Sequence, residues 1–320
     1  MIRLFAFLIA LFPLAGFSQG YPNKPIRMII PFAPGGASDL VGRIIQPRLS
    51  ELLGQQVVAE NRPGASGNLG VEAAARSAPD GYTIFLGNIG SVAINPAVFP
   101  KLPVNPLTDL AAVTQVVDVP SALVAHPSLP VNSMKELVAY AKANPGKLNY
   151  ASPGSGSQNR LEMEVLRKAA GLDMVHVPYK GGAGPAVSGL VGGETHIMFV
   201  TVSSAIGHVR AGRLKMLAIT TPKRSEQLPN VATTAEQGFP ELSASSWQGV
   251  FVPTGTPKDV IERLFGALRQ TMTAPEVNER LTNAGVIVAT SESPAAFADF
   301  VARETDRWGR AAREANATAD

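Results

Sequence analysis

Two apolar rhythms alternate along this chain. Short runs of β-branched and aromatic residues give way to stretches in which apolar positions return at helical spacing, and Gly, Ser and Pro collect at the junctions. Ile26–Pro31 predicts a first strand. Leu40, Val41, Ile44, Ile45, Leu49, Leu52 and Leu53 then predict a helix capped by Ser38 or Asp39, stopped by Gly54 and bent at Pro47. Gln56–Glu60 predicts a second strand and Leu69–Ser77 an Ala-rich helix. Tyr82–Leu86 predicts a short buried strand, with a loop, Gly87–Ser91, at its carboxyl end. Leu110–Val119 and Ser121–His126 read as two strands separated by Pro120.

From residue 133 the pattern starts afresh. Ser133 with Glu136 forms a capping box for a helix over Met134–Ala143, ended by Pro145-Gly146. A strand at Leu148–Ala151 runs through a second Gly/Ser loop into a helix carrying Leu161, Val165, Leu166 and Ala169. Strands follow at Met174–Val177, Thr195–Val200 and Leu214–Thr220, with a helix ending near Gly192-Gly193 between the first two. Ala244–Val252 is a further extended segment. Thr256-Pro257 and Ser293-Pro294 are N-cap and N1 pairs, and Thr273 with Glu276 makes a capping box between them. These signals predict helices over Lys258–Met272, Glu276–Ala284 and Ala295–Ala315, with a strand at Val286–Val288.

If the last helices return to the first unit, the chain makes two three-layer α/β domains facing across a central cleft. Two hinge crossings, near 120–126 and 246–252, then divide it into residues 21–122 plus 249–320 and residues 123–248. A length of 320 residues exceeds one comfortable core and agrees with two domains. Apolar content of 45% and charge of 17% describe a folded globular chain. The net charge of +3 is small and its basic residues are scattered, which leaves no footprint for nucleic acid or an anionic membrane.

Met1-Ile2-Arg3 and the apolar Leu4–Leu14 read as the n- and h-regions of a signal peptide over residues 1–20, cleaved before Gln19 or Tyr21. No later stretch reaches about 18 uninterrupted apolar residues, so the mature chain is expected to be soluble, in the periplasm. Absence of cysteine excludes disulfides and thioether lipidation, and it suits an oxidising compartment.

The candidate chemistry lies in the loops. Met28–Arg43 and Leu148–Leu166 share one design, a strand that ends in Gly- and Ser-rich backbone and opens a helix. Such a junction aims several N–H groups at the positive end of a helix dipole, a place for an anion. Neither loop has a Lys-Ser/Thr pair after its glycines or a completed G-x-G-x-x-G, so a small organic acid suits them better than a nucleotide. The loop after Tyr82–Leu86, with Asn88 and Ile89, is a third candidate at the same sheet edge.

The blocks PFAPGGASD (31–39), ENRPGASG (60–67), DGYT (80–83), AINP (93–96), LNYASPGSGS (148–157), HVPYKGG (176–182), RAGRLKMLAIT (210–220) and SSWQGVFVPTGTP (245–257) occur in this order over the whole mature chain. That succession resembles the Bug-type receptors, the periplasmic solute-binding proteins of tripartite tricarboxylate transporters. The resemblance implies a type II-like Venus-flytrap fold that closes on a small organic acid and hands it to a small and a large membrane subunit in the inner membrane. It implies no cofactor, and a monomer is the default for a diffusing receptor. Carried over by motif, the ligand site holds Phe32, Pro34, Gly35, Gly36, Ala37 and Ser38 from the first loop, and Ser152, Gly154, Ser155, Gly156 and Ser157 from the second. Asn88, Ile89, Tyr179, Val200 and Thr201 complete the candidate set. The family often carries Asp where this chain has Val200, and a polar residue or His where it has Val92, so a plain carboxylic acid is expected over an amino acid.

Asp39 reads as a helix-capping group, since a carboxylate repels an acidic solute, and Trp247 as a residue packed between the lobes. Lys180 is either a cleft residue or a solvated turn residue. His126, His176, His196 and His208 lie in separate segments without metal-ligand spacing, and none is visibly paired with an acid and a nucleophile. No G-x-S-x-G elbow is present, so the sequence gives an enzyme no support. A liganded receptor presented to a membrane sensor kinase would use the same binding chemistry and is the alternative to transport.

Overall fold

The computed structural model describes residues 20–314 apart from 100, 155, 226, 243 and 244. The expected signal peptide at residues 1–20, save Gly20, lies outside the described residues, as does Ser155. In chain order the elements are β1 (Ile26–Ile30), α1 (Ala37–Leu53), β2 (Val57–Asn61), α2 (Asn68–Ala75), β3 (Thr83–Asn88), α3 (Asn95–Val98), α4 (Pro106–Asp109), β4 (Leu110–Ala125), α5 (Met134–Ala143), β5 (Asn149–Ser152), α6 (Gln158–Ala170), β6 (Val175–Pro178), α7 (Ala183–Val191), β7 (Ile197–Thr201), α8 (Val202–Arg210), β8 (Lys215–Ile219), β9 (Ser245–Pro253), α9 (Lys258–Thr273), α10 (Pro275–Asn283), β10 (Ile287–Val288) and α11 (Pro294–Glu314).

The strands run in the order β2-β1-β3-β9-β4-β7-β5-β6, with β8 and β10 also paired to β4. β4 joins two halves of this sheet. Its residues from Leu110 to Pro120 pair antiparallel with β9, and Ser121 to Ala125 pair with β7 and β8. The two strands expected on either side of Pro120 are therefore one strand of 16 residues. Proline has no N–H for a ladder, and here it stands where the ladder changes partner. The next amide, Ser121 N, donates to Thr220 Oγ1 at 3.1 Å.

Period-two alternation separates the cores. Ile26, Met28, Ile30, Val250 and Val252 face one layer of the first half, with α1, α9 and α10, while Ile29, Phe85, Trp247 and Phe251 face another, with α2 and α11. In the second half Leu123, Ala125, Tyr150, Ile197 and Phe199 pack under α5 and α6, and Ala122, Val124, Met198 and Val200 under α7 and α8.

Several helix ends differ from expectation. Gly36, not Ser38 or Asp39, is the N-cap of α1, which begins without a side-chain cap and runs on through Pro47 to an αL cap at Gly54. The N-cap of α9 is Pro257, one residue past the expected Thr256, whose Oγ1 donates to Pro253 O at 2.7 Å. Thr273 makes no capping box; its Oγ1 donates to Arg269 O at 3.1 Å within α9, and Ala274 caps α10. Ser133 does cap α5, accepting from Glu136 N at 3.1 Å, while the Glu136 carboxylate accepts from Asn132 N instead of the cap's own amide.

Candidate functional site

Both Gly/Ser junctions stand at carboxyl ends of strands, β1 and β5, and the two meet across the gap between the halves. Ala33 N donates to Gly181 O at 3.0 Å and Gly156 N to Ser66 Oγ at 3.4 Å. Between them lies a cavity of about 50 Å³. The first half contributes Phe32, Gly36, Ala37 and Ser38 at the start of α1, Ser66, then Asn88, Ile89 and Gly90 after β3, and Ser246 and Gln248 of β9. The second half contributes Pro153, Gly156, Ser157, Gln158 and Asn159 at the start of α6, with Ala183 and Thr201. None of these side chains is charged. A larger cavity of about 530 Å³ lies at the junction of the halves, lined chiefly by Pro120, Val202, Ile219, Leu228, Val286 and Ile287 with Thr221, Lys223, Arg224, Ser225 and Gln227.

The two helix starts are presented differently. α1 has no side chain over its first turn, and Asp39 in that turn reaches back instead, accepting from Gly35 N at 3.3 Å. The Asp39 carboxylate is only 6% exposed and also takes Arg43 Nε at 2.8 Å and Asn61 Nδ2 at 3.0 Å. Asp39 is thus held as a loop fastener, with its charge matched inside the first half. At α6 the Ser157 hydroxyl accepts from Arg160 N at 3.2 Å. The first residues of each helix, at the positive end of its dipole, line the same cavity.

The second turn of α6 carries a buried carboxyl group. Glu162 is 2% exposed and accepts from Gln158 Nε2 at 2.8 Å and Asn159 Nδ2 at 2.9 Å, while Asn159 Nδ2 also donates to Ser121 Oγ at 2.9 Å. Burial pushes its pKa up to about 7, and the hydrogen bonds from Asn159, Gln158 and Ser121 hold it from going higher. This network ties the cavity wall to the point where β4 changes partner.

Of the residues named from sequence, Phe32, Gly36, Ala37, Ser38, Asn88, Ile89, Gly156, Ser157 and Thr201 line the cavity. Pro34 and Gly35 turn aside, lining a separate shallow opening with Gly184 and Pro185, because Gly35 takes a φ of +91° and bonds back to Asp39. Ser152 is fully buried below the loop, its hydroxyl bonded to His176 Nε2 at 2.7 Å and accepting from Gly154 N at 3.3 Å. Gly154 is also outside the cavity lining and packs against Ser66. Val200 faces the core under α7 and α8, since period two turns only its neighbour Thr201 to the cavity. Tyr179 points to Glu194, donating to Oε2 at 2.7 Å, and its hydroxyl pKa is pushed up to about 12 by desolvation and that carboxylate. Lys180 is an exposed turn residue outside the cavity. Position 89 is not in a loop: β3 leads directly into a π-helical turn, Gly90–Ile94, with Ser91 N bonded to Asn88 Oδ1 at 2.9 Å. Trp247 packs edge-on to Phe297 and Phe300 of α11, with centroids at 5.9 and 5.7 Å, so it anchors the C-terminal helix instead of bridging the halves.

Gly90, within the third candidate loop, also lines the cavity, and Ser66, Pro153, Gln158, Asn159, Ala183, Ser246 and Gln248 are lining residues outside the candidate set. Ser66 had a signal, because Gly64-Ala65-Ser66-Gly67 is as small and flexible as the two loops that were singled out. Ser246 and Gln248 had none. They belong to a strand whose place beside β3 and β4 is a tertiary fact.

Comparison with known proteins bears on the same chain. The model of the tripartite tricarboxylate transporter family receptor matches residues 41–317. BugT of Bordetella pertussis is 38% identical over 300 residues, 93% of this chain and 91% of that protein. An adipate-bound protein of R. palustris superposes with a TM-score of 0.90 at 32% identity, covering 94% of this chain and 100% of that one. MatC of Rhodopseudomonas palustris with bound malate superposes with a TM-score of 0.86 at 32% identity, covering 91% and 99%. With this match over most of its length, the chain belongs to the tripartite tricarboxylate transporter family of receptors and has their periplasmic binding-protein fold.

Proposed function

We propose that this receptor captures a small carboxylate between two lobes in the periplasm and delivers it to a small and a large transporter subunit in the inner membrane. The lobes follow the two halves of the sheet, with β9 and the helices after it in the first, and meet close to the Pro120–Ser121 partner change in β4. One observation carries the reading: the first turns of α1 and α6 converge on an uncharged, hydroxyl- and amide-lined cavity. Desolvating a carboxylate is costly, and several fixed N–H donors offset that cost without a cationic side chain. Adipate and malate in related structures support the ligand class.

The mechanism follows from the size of the cavity. At about 50 Å³ it is far below the usual volume of a ligand pocket, so the halves separate to admit an acid. The acid docks on the α1 loop, and the α6 loop then completes its coordination as the lobes close. Closure gains only the ligand's differential affinity for the closed form. Catalysis has one structural hint, the Ser152–His176 hydrogen bond, but Ser152 is fully buried and cannot reach a substrate.

Thermal denaturation of the mature chain against mono-, di- and tricarboxylates, aromatic acids, amino acids and sugars tests this. An acid at a hundred times its Kd adds about 2.7 kcal/mol of stability. Shifts confined to carboxylates are expected; shifts by neutral compounds alone, or none together with turnover of an ester, would overturn the reading.

A further inference from the structure

Gln158 and Gln248 both line the cavity, from opposite halves, and are 3% and 1% exposed. The side-chain carbonyl oxygen of each is buried and meets no donor. Gln158 donates through Nε2 to Glu162 Oε1 at 2.8 Å, which leaves its own Oε1 on the other side of the amide. A buried acceptor without a donor is unfavourable, and such atoms in native proteins ask for a partner.

Resting on the carboxylate reading above, we infer that Gln158 and Gln248 form a second subsite that reads a hydrogen-bond donor on the ligand, so that the preferred solute is a hydroxylated carboxylic acid. The acid group takes the helix N–H groups and the hydroxyl donates to the glutamine oxygens. A hydroxyl fits better than an ammonium group. Among the described residues no charged side chain lines the cavity, and an ammonium ion would be desolvated there without a counter-ion in contact. Glu162 acts through Gln158 and is a positioning residue.

The test compares matched pairs by calorimetry: butyrate with 3-hydroxybutyrate, succinate with malate, glutarate with 2-hydroxyglutarate, and alanine as the ammonium control. Within the pair that binds, the hydroxy acid is expected to be tighter by about tenfold or more, since a site with buried polar groups rejects an analogue that leaves them unpaired. Gln158→Leu and Gln248→Leu each bring that ratio toward one, and a cooperative thermal melt of each variant without ligand shows that it is folded. A ratio near one in the unaltered protein, or a ratio that survives both substitutions, overturns the subsite and leaves the carboxylate reading intact. Failure of every acid to bind removes the carboxylate reading and the subsite with it.

Discussion

At the scale of single residues, Glu162 has the clearest measurable consequence. Its carboxyl is raised from an ordinary 4.5 to about 7 by burial. The folded chain therefore keeps a proton that the unfolded chain releases as pH rises through 4.5. Stability from this group is greatest in acid, falls between about pH 4.5 and 7, and is level above, a loss of about 3 kcal/mol in all. Glu162→Gln cannot titrate, so chemical denaturation across that window should show the fall in the unaltered protein and not in the variant. Parallel curves for the two would show that the group is not held neutral by the fold. The residue-level reading of the site failed where one position decides which way a side chain faces. Val200 and Thr201 are adjacent, yet only Thr201 reaches the cavity.

At the scale of elements, both helix starts that define the cavity were legible, because Gly- and Ser-rich backbone between a strand and an apolar helical pattern has a specific physical use. Their caps were less legible: Ser38 and Asp39 are capping residue types, but the glycine before them already adopts the extended N-cap conformation. Spatial tolerance then separates the two loops. A Cβ on Gly36 would meet Ala183 Cβ at 3.5 Å, an ordinary contact. A Cβ on Gly156 would overlap Asn95 Oδ1, and Asn95 cannot swing away because its Nδ2 is bonded to Ser66 O at 3.0 Å and Asn68 Oδ1 at 2.6 Å. Gly156→Val should lower the melting temperature of the ligand-free protein by several degrees without unfolding it and lower acid affinity by about a hundredfold or more, whereas Gly36→Ala should leave the melting temperature unchanged and cost about tenfold or less in affinity. Equal affinities in all three proteins would refute the convergence of the loops on one ligand.

At the scale of the molecule, the proposed capture requires the two halves to part and rejoin. The chain has no cysteine, so an introduced pair can be read without background. Gly36→Cys with Ala183→Cys places two Cβ atoms at 3.5 Å across the gap, at the short end of disulfide spacing. The oxidised double variant should take up no acid and the reduced one should regain uptake; binding by the oxidised form would show that the halves need not separate. The order of strands and helices, the restart of the pattern at residue 133 and the two anion-ready loops were written locally, in hydrophobic period and turn chemistry, which depend on near neighbours. What tertiary structure alone decided was the partner. β4 runs unbroken through Pro120 because β9 ends its pairing where β7 and β8 begin theirs, and Gln248 reaches the ligand space because β9 lies between β3 and β4. Pairings between segments this far apart in sequence leave no local period behind, so only the folded chain shows which donors and acceptors share the cavity.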